Sequence, residues 1–177
     1  TAPLPPCMVT VGDMEKNNVL TVGWTGILAT VPPKTYISVR PSRHSYAIIK
    51  ESGEFVVNLV DQERCKAVDF CGVRSGKDVD KWKETGLTRG KANALSYAPI
   101  IEECPVNIEC KVTEIKELGS HDMFIAEVVS VQVSEEYLNE TGKFCLNDTG
   151  LMAYSHGTYV SLGEELGTFG YSVKKKK

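Results

Sequence analysis

The sequence predicts a mainly β protein, an antiparallel barrel or sandwich with helical insertions. Segments of alternating or β-branched residues recur along the chain and are mostly joined by short turns. Helical patterns are short and cluster in the middle of the chain. Strands and helices do not alternate regularly, which argues against a repeated βαβ unit.

Four strands are predicted in the first part of the chain. Cys7 to Gly12 forms a short strand, and Asp13 to Asn18 forms the polar turn that follows it. Val19 to Thr30 is rich in β-branched and small residues and predicts one long strand that runs into a loop. Thr35 to Arg40 alternates as a third strand does, and Glu54 to Val60 is the fourth.

Three short helices are predicted around and after the fourth strand. A Ser or Asp side chain at a helix start accepts hydrogen bonds from free backbone N–H groups, and a Gly ends a helix by adopting a left-handed conformation. The predicted start and end residues are Ser42 and Gly53, Asp61 and Gly72, and Asp78 and Gly86.

The second half of the chain returns to strands after a long connection of low pattern content, Thr88 to Pro99. Val106 to Val112 alternates as a half-buried strand does, and its rhythm then slips, which indicates a bulge. Gly119 to Asp122 is a tight connection to Met123 to Val133, so the two strands form a hairpin. The predicted strands up to this point number about six, and Thr158 to Leu162 predicts a last short strand in addition.

Composition is that of one globular domain, residues 1–177. The chain has 177 residues, of which 42% are apolar and 24% charged. Its net charge of −3 argues against a nucleic-acid partner, because such proteins present basic surfaces. The sequence contains no apolar run long enough for a membrane span, so no membrane association is expected.

Cysteine usage predicts a cytoplasmic protein with reduced thiols. No pair of the six cysteines has the C-x-x-C spacing of a zinc or redox motif. Residues Thr1 to Pro6 lack the charged and apolar regions of a secretory signal. We therefore expect neither a disulfide framework nor a metal site.

Standard catalytic and nucleotide motifs are absent from the sequence. It contains no G-x-G-x-x-G after a strand, no P-loop, no H-E-x-x-H and no G-x-S-x-G. The three histidines lie in unrelated contexts, and no carboxylate pair stands out. A metal enzyme or a triad hydrolase is therefore not expected.

One segment, Arg40 to Tyr46 (RPSRHSY), places two guanidiniums, two hydroxyls and an imidazole where a strand runs into a helix. A helix N-terminus offers free N–H groups and a positive dipole end, so this segment fits a phosphate site. A capped helix start with solvated basic residues fits the same pattern.

Two further segments carry the same ambiguity. Ser75 to Trp82 (SGKDVDKW) brings Ser, Gly and Lys to a helix start, which fits either a phosphate contact or a plain N-cap at Asp78. Trp24 to Gly26 places an aromatic ring beside small residues at the end of an apolar run. Such a Trp either flanks a flat ring or packs in the core.

Taken together, these segments resemble the flavin reductase-like family, the FMN-binding split barrels that include flavoredoxin. Each piece is weak alone, but the pieces fall in order and cover most of the chain. The matching pieces are Asn18 to Gly26 (NVLTVGWTG), Pro32-Pro33, Ile37 to Tyr46 (ISVRPSRHSY), Ile49 to Leu59 (IKESGEFVVNL), Ser75 to Trp82, Cys104 to Cys110 (CPVNIEC), Gly119 to Val128 (GSHDMFIAEV) and Leu162 to Val173.

The resemblance implies a six-stranded antiparallel split β-barrel, a homodimer and one non-covalent FMN per subunit at or near the dimer interface. It also implies roles for particular residues. The phosphate and ribityl side would be held by the segment that ends in Tyr46 and by Arg40, Ser42, His44, Ser45, Ser75 and Lys81. The isoalloxazine pocket would be formed by Trp24, Thr25, Gly26, Val39, Asn58 and Leu59.

His121 is the one candidate for a catalytic residue. Its turn is similar to a G-x-H turn that approaches the nicotinamide side of the flavin in related reductases. Here the turn reads GSHD, whereas the reductases that serve monooxygenases have GDH. Both a nicotinamide contact and a plain turn residue are therefore open for His121.

The resemblance implies an FMN-containing redox protein. The form of the pocket at Trp24 and the SGKDVDKW segment are more similar to flavoredoxin, an electron carrier that would exchange electrons with a protein such as a ferredoxin. The alternative is a flavin reductase that uses NADH or NADPH as a transient donor and supplies reduced flavin to an oxygenase. A non-catalytic module that binds or senses flavin is an alternative of another class.

Overall fold

The computed structural model describes residues 1–174, which contain eleven strands and three α-helices. The strands are β1 Cys7–Gly12, β2 Asn17–Val22, β3 Thr25–Thr30, β4 Pro33–Val39, β5 Glu54–Leu59, β6 Arg89–Gly90, β7 Ile100–Ile101, β8 Val106–Glu117, β9 Asp122–Val133, β10 Met152–Ser155 and β11 Thr158–Ser161. The helices are α1 His44–Ser52, α2 Cys65–Val73 and α3 Lys81–Thr85. The mainly β architecture with helical insertions is confirmed.

Seven strands form one antiparallel sheet in the order β2-β1-β5-β8-β9-β4-β3. The long hairpin of β8 and β9 lies at its centre and carries two bulges, one of them between Val112 and Glu114 where the sequence rhythm slips. β6 pairs with β7, and β10 pairs with β11, as separate two-stranded ribbons. The antiparallel arrangement agrees with the prediction.

The prediction of one long strand from Val19 to Thr30 is wrong, because this segment forms two separate strands. β2 ends at Val22 and β3 begins at Thr25, so only Gly23 and Trp24 separate them. The main sheet therefore has seven strands, where the resemblance implies six. β2 and β3 lie at opposite edges of that sheet.

This two-residue connection forces the sheet to curl. Three Cα-to-Cα steps from Val22 to Thr25 span at most about 11 Å. The two edges of a seven-stranded sheet can come that close only if the sheet bends back on itself. The main-chain carbonyl of Trp24 also accepts a hydrogen bond of 2.9 Å from Ser38 N on β4. Gly23 and Trp24 thus lie where the edges approach each other.

Two clusters of buried side chains hold the helices against the curled sheet. The first joins inner-face residues of the sheet, such as Val9, Phe55 and Phe124, to Ile49 of α1. The second joins Met8 and other residues to Trp82 of α3 and to residues of α2. The helices are therefore anchored by apolar burial, which is the main source of stability for such short segments.

The observed helix starts correct two predictions. Arg43 is the N-cap residue of α1, not Ser42, and no side chain in the described part of the chain caps this helix end. Asp80, not Asp78, caps α3, because its carboxylate accepts bonds from the Trp82 and Lys83 backbone N–H groups.

The remaining helix ends are close to those predicted. Gly53 ends α1 in the left-handed conformation, with φ of 67°, as predicted. Asp61 caps a 3-10 turn, Gln62–Arg64, that precedes α2, and α2 continues to Val73, one residue beyond the predicted Gly72. Gly86 ends α3, also with a left-handed conformation.

The cysteines and the helices bear on two further expectations. All six cysteines are free thiols, as predicted. Within residues 1–174, none of the helices has the length and apolar character needed to cross a membrane. Of the terminal lysine run, Lys175 to Lys177 lie outside the described residues.

A buried carboxylate on β8 holds the long connection before β7. Glu109 is fully buried and accepts hydrogen bonds from Asn93 N at 2.9 Å, from Ala94 N at 2.7 Å and from Gln132 Nε2 at 2.8 Å. Glu54 binds the backbone N–H groups further along the same connection. Backbone N–H groups of the connection are thus satisfied by the Glu109 and Glu54 carboxylates rather than by pairing with a neighbouring strand.

We expect Glu109→Gln to lower the free energy of unfolding by about 1–3 kcal/mol, because an amide nitrogen would then face a backbone N–H group in a buried site. The measurement is urea denaturation at neutral pH. Glu114→Gln removes the same charge from an exposed position on β8 and should change stability by less than about 0.5 kcal/mol. Equal stabilities for the two variants would contradict this role of Glu109.

Candidate functional site

Two adjoining clefts form a groove along α2, between the start of α1 and Trp24. The polar cleft, of about 210 Å³, lies where α1 begins and α2 ends. The aromatic cleft, of about 290 Å³, contains Trp24, Tyr154 and Tyr159 in its wall. Thr21 and Gly72 line both clefts, so the two spaces meet along β2 and α2.

One wall of the polar cleft is the open N-terminus of α1. Arg43, in an extended conformation, precedes the helix, and among residues 1–174 no side chain caps this helix end. Ser42, His44 and Ser45 line the cleft beside Arg43. An uncapped helix start with its positive dipole end is suited to an anion.

The opposite wall is the turn that follows α2. Arg74, Ser75 and Gly76 line the cleft there. The Ser75 hydroxyl oxygen accepts a hydrogen bond of 3.2 Å from Lys77 N, and this bond shapes the turn. The turn sets a second guanidinium and a third hydroxyl across the cleft from α1.

Gly76 lets this turn approach β2 and α1 closely. A Cβ atom at this position would lie 2.2 Å from Asn18 Oδ1 and 3.0 Å from His44 Cδ2. Any other residue would therefore push the turn away from both neighbours. The width of the polar cleft depends on the absence of a side chain here.

A buried hydrogen bond fixes α1 against the sheet at the same point. The Asn18 amide on β2 donates to Ser45 Oγ at 2.7 Å. Both side chains are buried, so loss of this hydrogen bond would leave the Asn18 amide and the Ser45 hydroxyl without partners. It holds the open end of α1 in register with β2.

Lys81 is buried beneath the polar cleft. Its ammonium donates to the Val19 carbonyl at 2.6 Å and to the Cys71 carbonyl at 2.7 Å, which leaves one of three hydrogens for another acceptor. Burial lowers the pKa of Lys81, and the positive charge of Arg43 lowers it further, whereas Cys71 acts in the opposite direction. An anion in the cleft would counter both effects that disfavour the charged form.

The charges around the polar cleft are all of one sign. Arg43, Arg74 and Lys81 line it, and no Asp or Glu belongs to the lining residues that the structure describes. Burial raises the pKa of the neighbouring Cys71 thiol to about 11, so this cysteine adds no negative charge at neutral pH. The cleft is a cationic site that a compact anion such as a phosphate would fit.

Flat rings characterise the aromatic cleft. Trp24 is 52% exposed, and its ring lies 4.5 Å from that of His121 with an interplanar angle of 38°. Tyr154 and Tyr159 form a second pair, with ring centroids 5.1 Å apart. Burial, and then Asp69, raises the pKa of Tyr159 to about 12, so the phenol is neutral at ordinary pH.

The structure brings together six of the predicted residues along this groove. Those in the polar cleft are Ser42, His44, Ser45, Ser75 and Lys81, and Trp24 lies in the aromatic cleft. His121, from the turn between β8 and β9, joins Trp24 through the ring contact. The sequence segments that are far apart in the chain therefore meet.

Two predicted residues of the Arg40 segment lie elsewhere. The Arg40 side chain is exposed at the end of β4, and Arg43 occupies the cleft in its place. The Tyr46 hydroxyl donates to Asp122 Oδ2, which raises the pKa of the phenol, and its ring packs edge-on against Phe124. Tyr46 therefore faces β9 and not the groove.

Three residues predicted for the ring pocket belong to the protein interior. Val39 is a core residue, and Leu59 packs against the same core. The Asn58 side chain is fully buried, where its amide donates to the Met8 carbonyl at 2.8 Å and accepts from Ile101 N at 3.0 Å. These contacts bind β5 to its neighbours and leave Asn58 no face toward the groove.

The last two predicted residues, Thr25 and Gly26, begin β3. Thr25 Oγ1 donates to the Tyr36 carbonyl at 2.6 Å, and Gly26 lies under the Tyr36 ring. They follow Trp24 directly, so they lie next to the aromatic cleft. Their main contacts, however, are with β4.

Several groove residues were not named individually as site residues by the sequence prediction, among them Arg43, Asn18, Arg74 and Thr21. Arg43 lies inside the predicted RPSRHSY segment, and Asn18 begins the NVLTVGWTG segment, so both were within the motifs that mark the site. Arg74 precedes the SGKDVDKW segment by one residue. Thr21 has no distinctive pattern, and only the meeting of β2 with α2 places it in the groove.

Comparison with known proteins gives a consistent assignment. The family model described as "Flavin reductase like domain" matches residues 1–163. An uncharacterised protein of Archaeoglobus fulgidus is 33% identical over 147 residues, which cover 83% of this chain and 81% of that protein. A flavin reductase of Pseudomonas putida is 28% identical over 135 residues, covering 76% of this chain and 75% of its own length.

Solved structures agree in fold along almost the whole chain. Flavoredoxin of Desulfovibrio vulgaris (Miyazaki F) superposes with a TM-score of 0.89 at 28% identity, covering 98% of this chain and 94% of that structure. An FMN-binding protein from Thermus thermophilus superposes with a TM-score of 0.81 at 26% identity, covering 94% and 90%. The chain therefore belongs to the flavin reductase-like domain family.

Proposed function

We propose that this protein is an FMN-dependent redox protein of the flavoredoxin type, which holds FMN non-covalently and exchanges electrons with a protein partner. The observation that carries the proposal is the groove, in which a cationic cleft at an open helix end adjoins a cleft walled by flat rings. The likeness to a flavoredoxin structure over 98% of the chain supports the same assignment.

The residues present fit the two ends of FMN. A dianionic phosphate needs cations and oriented N–H groups, which Arg43, Arg74, Lys81 and the start of α1 offer. Because Gly76 has no side chain, the turn after α2 can lie close to Asn18 and His44, which keeps Arg74 and Ser75 near the start of α1. The flat ring system would lie toward Trp24 and His121.

The chain supplies binding and electrostatics, and the cofactor supplies the reactivity. When bound, FMN provides transfer of one or two electrons. Arg43 and Arg74 would hold the phosphate, Lys81 would place a buried positive charge beneath it, and Trp24 would shield one part of the ring from water. This division of labour agrees with the lack of nucleophile or acid–base motifs in the sequence.

Removal of Arg43 tests the phosphate end of the site. We expect Arg43→Ala to weaken FMN binding roughly 10- to 100-fold, since a charge-assisted hydrogen bond contributes about 1.5–3 kcal/mol. Riboflavin lacks the phosphate, so its affinity should not change. Fluorescence titration of the apoprotein with each flavin measures both affinities.

Lys50→Ala is the matched control, because Lys50 is an exposed cation in the last turn of the same helix. We expect FMN to bind this variant as it binds the unmodified protein. Equal losses for FMN and riboflavin in Arg43→Ala would contradict the assignment of the polar cleft to phosphate.

Gly76→Ala tests the close approach of the turn after α2. The added Cβ would collide with Asn18 Oδ1, so the turn must move and FMN affinity should fall by at least about tenfold. Gly163→Ala is the control, because a Cβ there meets nothing within 4 Å. Isothermal titration of both apoproteins with FMN decides the matter, and full FMN affinity in Gly76→Ala would contradict the role given to this turn.

A second candidate function is an NADH- or NADPH-dependent flavin reductase that supplies reduced flavin to an oxygenase. The ring contact between Trp24 and His121 favours it, because an imidazole then lies at the proposed ring end of the groove. The resemblance to a flavin reductase of Pseudomonas putida supports the same alternative.

Stopped-flow absorbance separates the two functions. For an electron carrier, we expect NADH or NADPH alone to bleach the flavin band slowly, and a ferredoxin-like donor to bleach it fast. Fast bleaching by a pyridine nucleotide alone would overturn the carrier assignment in favour of the reductase. In that case His121→Gln should slow the bleaching while FMN affinity stays unchanged.

We also propose that the protein is a homodimer with its flavin near the interface, and that it works in the cytoplasm. The large apolar side chains of Ile27, Leu28 and Val31 are exposed on the segment that follows Trp24, which supports a dimer contact along β3. The six free thiols support a reducing compartment. Sedimentation velocity over a range of concentrations tests the dimer.

A further inference from the structure

The last part of the described chain projects apolar side chains into solvent. Residues 164–174, the C-terminal arm, follow β11 and lie beyond the segment that the family model matches. Phe169 is fully exposed, Leu166 is 93% exposed and Val173 is 80% exposed. A cluster of large apolar side chains that contacts so little of its own chain marks an interaction surface.

The arm nevertheless has a defined local structure. A Cβ atom at Gly167 would lie 2.8 Å from the Tyr171 ring, so the ring packs closely against that glycine. Tyr171 N donates to the Thr168 carbonyl at 2.9 Å, and Lys174 Nζ donates to Thr168 Oγ1 at 3.1 Å. Within residues 1–174, every hydrogen bond of the arm has both partners inside the arm.

A receiving surface of matching character lies on β3. This strand is an edge of the main sheet, so one row of its backbone groups has no neighbouring strand within the described residues 1–174. Ile27 and Val31 are 85% and 91% exposed, and Leu28 is also exposed. An edge strand that is both unpaired and apolar is a place where another segment of chain can add.

The start of the arm has the charge opposite to that of the β3–β4 hairpin, whereas Lys174 at the other end of the arm is a cation. The arm begins with Glu164 and Glu165, and Lys34 is the only charged residue between Thr25 and Val39. The two carboxylates precede the apolar part of the arm, just as Lys34 lies next to the apolar part of the β3–β4 hairpin. Opposite charges at the rim of an apolar contact favour one orientation of binding.

We propose that the C-terminal arm of one copy packs across β3 of a second copy, with Leu166 and Phe169 against Ile27 and Val31. The inference rests on the homodimer proposed above, and it names the C-terminal arm as a segment that contacts the second copy. In a two-fold dimer each copy both gives and receives an arm. Because β3 follows Trp24 directly, the arm contact begins near the partner's aromatic cleft at Ile27 and extends along the strand away from it.

Photo-crosslinking in the full chain tests the contact. p-Benzoylphenylalanine replaces Phe169, and equal amounts of this protein and ¹⁵N-labelled unmodified protein are mixed, equilibrated and irradiated. We expect crosslinks from the unlabelled arm to a labelled tryptic peptide that ends at Lys34 and contains β3. Crosslinks within one copy only, or to another element, would overturn the proposal.

A pair of variants tests the contribution of the arm to assembly. We expect Phe169→Ser to raise the dimer dissociation constant about tenfold or more, as loss of a central aromatic contact does. Met14→Ser, at a half-exposed apolar position in the β1–β2 turn, is the control and should leave the constant unchanged. Sedimentation equilibrium measures both, and an unchanged constant in Phe169→Ser would overturn the proposal.

The tests of the arm contact can fail while the test of the proposed function succeeds, and the reverse. FMN titration of the unmodified protein tests the function and does not depend on the arm. A protein that binds FMN and dimerises equally well with Phe169→Ser keeps its function and loses only the arm contact. A protein that stays monomeric at all concentrations, without crosslinks between copies, loses both the dimer and the arm contact.

Discussion

The short connection between β2 and β3 is the constraint on which the rest of the structure depends. Two residues, Gly23 and Trp24, join strands that lie at opposite edges of a seven-stranded sheet. No flat sheet can satisfy that distance, so the sheet must curl until its edges approach each other. The curl places Trp24 at the meeting point of the edges and sets the ends of α1 and α2 against β2. The groove is a consequence of this geometry, not a separate feature added to it.

At the polar end of the groove, the same side chains stabilise the fold and form the proposed anion site. Lys81 joins β2 to α2 through two backbone carbonyls, yet it also places a buried positive charge beneath the cleft. The bond from Asn18 to Ser45 fixes the helix that presents its open end to an anion. Buried polar groups of this kind are costly unless they are satisfied, so the fold holds them in one arrangement. A preorganised cation cluster of this type loses little freedom when it binds an anion.

Six of the residues that the sequence proposed for the site line one groove, because its motifs lie at helix boundaries. A run of Ser, Arg and His before a helix, or of Ser, Gly and Lys after one, has a local physical meaning that does not require the fold. Which arginine lines the cleft was not predictable, because both Arg40 and Arg43 are exposed and only the course of the turn after β4 sets Arg43 at the cleft. Asn58 was misplaced for a related reason: a polar residue on a buried strand can face a ligand or a neighbouring backbone, and only the structure shows that it binds β1 and β7.

The sequence by itself determined the mainly β class, the central hairpin with its bulge and the helix ends at glycines, because these follow from side-chain periodicity and from local backbone preference. It also determined that cations and hydroxyls would lie at two helix boundaries. Only the tertiary structure decided that the strand from Val19 to Thr30 divides, since a break at Gly23 and Trp24 leaves the β-rich composition unchanged. It likewise decided that two distant segments form one cleft and that the arm projects from the body. Such pairings depend on contacts between residues far apart in the chain, which no local pattern encodes.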